Sequence, residues 1–329
     1  MTTFFPQLIA PRAQGEGFVW RYRRELSVLL VYLLLLGVLA ILRPDFYRAQ
    51  FRATWVSSAP VLVAAVGMTL VILARQIDIS IGSQFSVCGV VAGLVVAAGA
   101  PVWVAAVGAI VIGAAMGAAN GALVAWLKLP SIVVTLATMV ILRGALLWQS
   151  QGAAVRLPDR FQWFGFSQRG GETVILLIAL LVLAVFACGM RWIAMGRSVY
   201  AVGADEEAAR LSGIHPKRVI FAVFVLMGAL TGLAALLNTA RFVMVYPNAG
   251  EGLELQVIAA VVVGGTAISG GRGTLLGTLV GVALLGTIGS FLLFLHTQPQ
   301  WEKAVQGIII LIAVASDAVY RRGSRAKQG

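Results

Sequence analysis

The chain has 329 residues, of which 60% are hydrophobic and only 12% charged, and its formal net charge is +12. A soluble domain carries about twice that charged fraction, and apolar runs of bilayer length recur along the whole chain, so one large soluble core is excluded. The short alternating segments of a β-barrel are missing, and no soluble basic domain is present to bind nucleic acid. The composition specifies an all-α, polytopic membrane protein.

In chain order, residues 1–25 are polar and basic and read as a cytoplasmic segment without a cleavable signal, because no Ala-x-Ala-type site follows the first apolar run. Residues 26–320 form a transmembrane domain with ten predicted spans, near 26–42, 56–74, 78–99, 102–126, 130–148, 173–190, 219–240, 254–268, 274–295 and 302–320. The third begins on polar residues and the eighth is short. Residues 321–329 form a basic cytoplasmic tail. Trp55, Trp103, Trp126, Trp148, Trp192 and Trp301 fall near predicted span ends, where amphipathic rings favour the headgroup level. The prolines, Pro44 and Pro60 among them, are expected outside spans or in a first turn.

Placing both termini inside puts 16 of the 25 Lys and Arg residues on the inner side and leaves 9 outside. The bias favours an N-in, C-in topology, although an outer loop at 43–55 with Arg43, Arg48 and Arg52 runs against it. Cys88 and Cys188 lie within spans and read as small buried hydrophobes.

The fourth span carries Ala105, Ala109, Gly113, Gly117, Gly121 and Ala125 four residues apart, a stripe that lets helix backbones approach closely in lipid. Gly228 and Gly232 repeat it in the seventh span, and Gly273, Gly277 and Gly281 in the ninth. Polar residues within spans are costly and become functional candidates. Ser80 and Ser83 share a face, Asn120 follows the stripe, and Thr135 and Thr138 share another face. These five are candidate lining for the path of a hydroxylated solute, with interhelical hydrogen bonding as the alternative. Asp78 is expected near the cytoplasmic surface as a helix N-cap. Glu251 and Glu254 are expected at the outer end of the eighth span, either solvated or meeting an extracytoplasmic partner. Asp317 is placed to pair with Arg321.

No Gly-x-x-x-x-Gly-Lys-[Ser/Thr] occurs; the nearest stretch, Gly264 to Gly273, lacks the lysine. His-Glu-x-x-His, Gly-x-Ser-x-Gly and Cys-x-x-Cys are absent too. The expectation from these absences is a chain with no catalytic residue, no metal and no cofactor of its own.

Residues 196–218 are the one sizeable water-loving stretch of the second half. Within it, 203–213 reads as a short amphipathic helix. Asp205 caps it, Glu206 and Glu207 favour its positive end, and Gly213 stops it before Pro216. Ala208, Ala209 and Leu211 offer a small apolar face. On these grounds alone it is either a partner-binding helix or a solvated linker.

Several ordered motifs now match one family. They are Gly67-Met-Thr-Leu-Val-Ile-Leu73, Ile77-Asp-Ile-Ser-Ile-Gly-Ser83, the run from Asn120 through Lys128-Leu-Pro-Ser-Ile to Leu136, and Arg143-Gly144. Further on come Gly196-Arg-Ser-Val-Tyr-Ala-Val-Gly203, Glu207-Ala-Ala-Arg-Leu-Ser-Gly-Ile214, Gly250-Glu-Gly-Leu-Glu-Leu255, and Val263-Gly-Gly-Thr-Ala through Gly270-Gly-Arg-Gly to Gly277. Over roughly 26–320 the chain resembles the permease subunit of bacterial ABC importers of the ribose/rhamnose/autoinducer-2 type. It departs from them at Arg75-Gln76, where relatives often carry a Gly-Gly pair.

The resemblance implies that Asp205, Glu206, Glu207, Ala208, Ala209, Arg210, Leu211, Ser212 and Gly213 dock into a separate ABC ATPase subunit that holds ATP and Mg. It also implies a periplasmic or lipid-anchored solute-binding protein, a second permease chain, identical or a sister, and a place in the bacterial inner membrane. Rhamnose and autoinducer-2 are the preferred solutes, with ribose and other monosaccharides open. A stand-alone secondary transporter or channel is the competing reading. It would show mid-span coupling carboxylates and an internal repeat, and neither is apparent.

Overall fold

The computed structural model describes residues 23–159, 161–162, 166–298, 301, 303–309 and 311–312. Residues 1–22 of the expected cytoplasmic segment, the Asp317–Arg321 pair, the far half of the tenth predicted span and the 321–329 tail lie outside the described residues.

The helices are α1 (Arg23–Leu42), α2 (Pro44–Leu73), α3 (Ile81–Ala97), α4 (Val102–Ala125), α5 (Ser131–Ser150), α6 (Gln168–Trp192), α7 (Ala194–Ala204), α8 (Glu206–Leu211), α9 (Pro216–Thr239), α10 (Leu253–Val263) and α11 (Leu275–Phe294). Two short strands, β1 (Val155–Arg156) and β2 (Met244–Val245), pair antiparallel, with Val155 opposite Val245. Among the described residues seven helices are long and apolar enough to cross a bilayer, and α3 and α10 are apolar but shorter.

The centre of the bundle is α2 packed on α9; α4 and α3 cover α9, α10 and α11 cover α2, and α1 and α5 lie at the periphery. Leu30, Ile41, Val111, Ile141 and Leu181 stay exposed on the outer helices. Such continuous apolar faces are stable only against lipid or another chain.

The small-residue stripe behaves as its spacing predicts. Ala105, Ala109, Gly113, Gly117, Gly121 and Ala125 are all buried. Gly113 and Gly117 meet the backbone at Gly228, and Ala109 that at Gly232, so a side chain there would collide with a carbonyl. In α11, Gly277 lies against Gly264 and Gly281 against Ala260, but Gly273 precedes the helix in a loop at φ +152°.

Three boundaries differ from expectation. The 43–55 loop is helix: α2 runs 30 residues from Pro44, with Pro60 inside it. Hydropathy missed this turn-rich start because its charges face outward while Phe46, fully buried, packs edge-on to Phe291 and Phe294 at 5.6 Å each. Pro44 at the first position suits a helix start, and Arg52 pairs with Glu172 of α6 at 2.7 Å. The third span begins late, because 76–80 is not helical. The eighth span shrinks to the 11 residues of α10, a rise of about 16 Å against a hydrocarbon core of about 30 Å. Cys88 is buried as expected, whereas Cys188 is exposed on α6.

Candidate functional site

The polar stretch at 196–218 folds as two short helices. Asp205, in extended conformation, separates α7 from α8 and accepts a hydrogen bond from Ala208 N at 2.9 Å. Glu206 and Glu207 occupy the first turn, where carboxylates oppose the positive end of the helix. Arg210 Nε donates to Glu207 Oε2 at 3.0 Å. That bond holds the Glu207 carboxyl below the usual carboxylate range and raises Arg210. Gly213 at φ +82° closes the helix, Ile214 N bonds to Ala209 O at 3.0 Å, and Pro216 opens α9. Leu211 is 78% exposed and Ala208 is exposed, but Ala209 is buried. The free apolar face is therefore Ala208 and Leu211; Ala209 fastens α8 to the bundle.

The inner side of α7 rests on the end of α2 and on the 270–273 loop. Gly203 faces the Leu73 carbonyl at the end of α2 so closely that a methyl there would collide with it. Gly271 N donates to the same carbonyl at 2.9 Å, and Tyr200 Oη donates to Gly273 O at 2.9 Å. Thr274 caps α11 by accepting from Gly277 N and donates to Glu25 of α1 at 3.1 Å. Arg75 takes φ +64°, a left-handed conformation that glycine adopts without strain.

The five residues predicted to line a path converge, but on one another. Asp78 is fully buried rather than superficial, and the α3 N-cap position belongs to Ser80, whose side chain does not cap. Asp78 Oδ1 instead accepts from Ser80 N at 2.9 Å and Ser80 Oγ at 2.6 Å. Ser80 Oγ accepts from Gln84 Nε2 at 2.7 Å and Asn120 Nδ2 at 2.9 Å, and Thr138 Oγ1 donates to Asn120 Oδ1 at 2.7 Å. Thr135 Oγ1 accepts from Ile79 N at 3.1 Å, and Ser83 Oγ donates to Met139 O at 2.8 Å. Together they lash the extended 77–80 segment to α4 and α5, replacing the backbone bonds that this segment forgoes.

The two short helices begin side by side. Gly82 at the start of α3 abuts Gly250 and Glu254 at the start of α10, and Gly250 N donates to Ser86 Oγ at 2.9 Å. Glu254 is buried rather than solvated, and lies 3.7 Å from Arg143 of α5. Glu251 is exposed and pairs with Lys303 at 3.0 Å, which holds its carboxyl below the usual range. Gln84, Arg143 and Glu254 were not singled out from sequence as path residues. A lone Arg within a predicted span was the available signal.

A family model described as branched-chain amino acid transport system / permease component matches residues 51–314. The chain is 34% identical over 307 residues to the ribose import permease protein RbsC of Escherichia coli (strain K12), covering 91% of this chain and 95% of that one. It is 33% identical over 319 residues to the L-arabinose ABC transporter permease protein AraH of Azospirillum brasilense, covering 96% and 94%. It is also 33% identical over 310 residues to the autoinducer 2 import system permease protein LsrC of Photorhabdus laumondii, covering 91% and 90%. No solved structure matches the chain. Relatives this similar over nearly their full length, with the multi-span helical fold above, place the chain in the cytoplasmic membrane, and it belongs to the family of ABC importer permease components.

Proposed function

We propose that this permease carries a sugar or sugar-like solute inward, driven by a separate ABC ATPase that docks on residues 205–213. The relatives' solutes, ribose, arabinose and autoinducer 2, support the solute class; rhamnose joins them on the resemblance of the 75–83 and 120–147 stretches. ATP and Mg belong to the ATPase, and this chain needs no cofactor. A periplasmic or lipid-anchored binding protein delivers the solute, and a second permease chain completes the pore. The α8 end is cytoplasmic, with both termini inside and ten spans in all.

One observation carries the coupling role: a capped, charged helix with an exposed Leu211 sits on α7, which in turn touches the end of α2 through Gly203 and the 270–273 loop through Gly203, Ala204 and Tyr200. ATP-driven closure of the ATPase pair moves α8, and α7 passes that motion to the span ends. The buried 78–138 network supports a positioning role for Ser80, Ser83, Asn120, Thr135 and Thr138, which hold the wall of the path rather than face the solute. The test is Leu211→Asp with Ala208→Glu. The double variant inserts normally into the membrane but no longer co-purifies with its ATPase. Normal assembly of the complex would remove the docking assignment.

A further inference from the structure

A cavity of about 430 Å³ opens at the end of the bundle opposite α8, between α2, α9, α11 and the 249–256 segment. Ser58 of α2, Asn238 at the end of α9, Arg241, Gln256 of α10 and Ser290 of α11 contribute its polar wall. Ser58, Asn238, Gln256 and Ser290 make no side-chain hydrogen bond among the described residues, and Arg241 Nε is shut from solvent without a partner. The contrast with the 78–138 network is the point. There the hydroxyls and amides bond to one another or to backbone; of the polar side chains that line the cavity, Ser57 and Thr297 bond to backbone carbonyls while Ser58, Asn238, Gln256 and Ser290 are left idle. Polar groups that line a cavity without protein partners meet water or a polar solute, since leaving them dry is costly.

The chemistry of the wall narrows the ligand. Amide, hydroxyl and guanidinium groups stand beside Phe85 and Phe242, a combination that offers hydrogen bonds to hydroxyls and an apolar surface to sugar C–H faces. At the rim, Lys303 is matched by Glu251 at 3.0 Å, so among the described residues no cluster of free cations is present to select an anion. The volume lies within the range of small-molecule sites, roughly 300–1,000 Å³, and suits a monosaccharide with a few waters.

We propose that this cavity is a station for a neutral, polyhydroxylated solute of monosaccharide size, bound by Asn238, Arg241, Gln256 and Ser290. The proposal rests on the sugar-importer reading above and adds the site where the solute is held.

The test uses the complete importer in membrane vesicles, in a Cys188→Ser background that removes the exposed thiol. Ser290→Cys and Asn238→Cys are each treated with a charged methanethiosulfonate reagent, with Asn120→Cys as the buried control. Both cavity thiols react and the control does not. Millimolar D-ribose, L-arabinose or L-rhamnose slows the cavity reaction, by about tenfold for a sugar present at ten times its dissociation constant. If Ser290→Cys fails to insert, Asn238→Cys alone decides. Thiols that stay inert both without nucleotide and in the vanadate-trapped complex overturn the proposal, as does a reaction rate that no sugar changes. ATP-dependent uptake of the same sugars is measured alongside. Uptake without protection removes the cavity site alone; loss of ATPase co-purification and of all sugar uptake removes the importer reading itself.

Discussion

Gly203 of α7 rests against the carbonyl of Leu73, the last residue of α2, and the same carbonyl accepts the Gly271 amide at 2.9 Å. Three segments far apart in sequence thus meet at one oxygen. A backbone contact of this kind has no flexible side chain to absorb displacement, so motion of α7 reaches the most buried helix of the bundle directly.

Gly203→Val tests that junction. Overpacking a closed contact costs about 1–3 kcal/mol, and here it must separate α7 from α2. The variant is expected to retain membrane insertion and ATPase binding while ATP-driven uptake falls at least several-fold. Uptake at the wild-type rate would show that the contact transmits nothing.

Arg75→Gly should act in the opposite sense on stability. Arg75 holds φ +64°, which for a side chain bearing Cβ costs about 1 kcal/mol or more. Glycine removes the strain while giving back some entropy in the unfolded chain. The purified variant is expected to unfold at a higher temperature than the parent, and a lower midpoint would mean that the arginine side chain earns its place through contacts.

Asn120→Leu breaks the polar lashing at its centre. Ser80 Oγ loses a donor and Thr138 loses its acceptor, and a buried polar group left unpaired costs about 1–3 kcal/mol. The expected result is a lower thermal midpoint together with reduced uptake at normal expression. Unchanged stability with lost uptake would instead return Asn120 to the solute's own path.

The Glu207–Arg210 pair makes α8 sensitive to acid. Its hydrogen bond lowers the folded-state pKa of Glu207, so the stabilisation is complete above the ordinary carboxylate pKa and is lost as pH falls through the lowered value. Amide exchange across 208–213, corrected for its intrinsic pH dependence, should quicken over that acid range. Glu207→Gln should abolish the change; an identical profile in that variant would sink the assignment.

Much of this architecture was legible in the sequence. Four-residue spacing picked out the small-residue faces of α4 and α9, because in lipid close approach depends on small residues at fixed intervals, and the structure shows these two faces meeting. Asp205 and Gly213 bounded α8 through local rules of capping and left-handed closure. The same local rules failed at Asp78, which bonds to Ser80 only two residues on yet is buried, because the 77–80 segment is held against α4 and α5. They failed again at Glu254, which has the composition of a solvated loop residue and the position of a buried one, and at Ala209, which faces the bundle rather than the docking face.

The sequence by itself determined the membrane class, the helix-forming stretches, the close-packed stripe and the free helix at 205–213, since each depends on hydrophobicity and on interactions within one or two turns. Tertiary structure alone decided that α3 and α10 are partial spans meeting at Gly82 and Gly250, and that the in-span hydroxyls at 80, 83, 135 and 138 are committed to one another or to backbone. It alone decided that the idle polar groups gather at Asn238, Arg241, Gln256 and Ser290. The reason is physical: within a membrane a polar side chain takes its role from the nearest partner, and that partner is supplied by helices that the chain reaches only after folding.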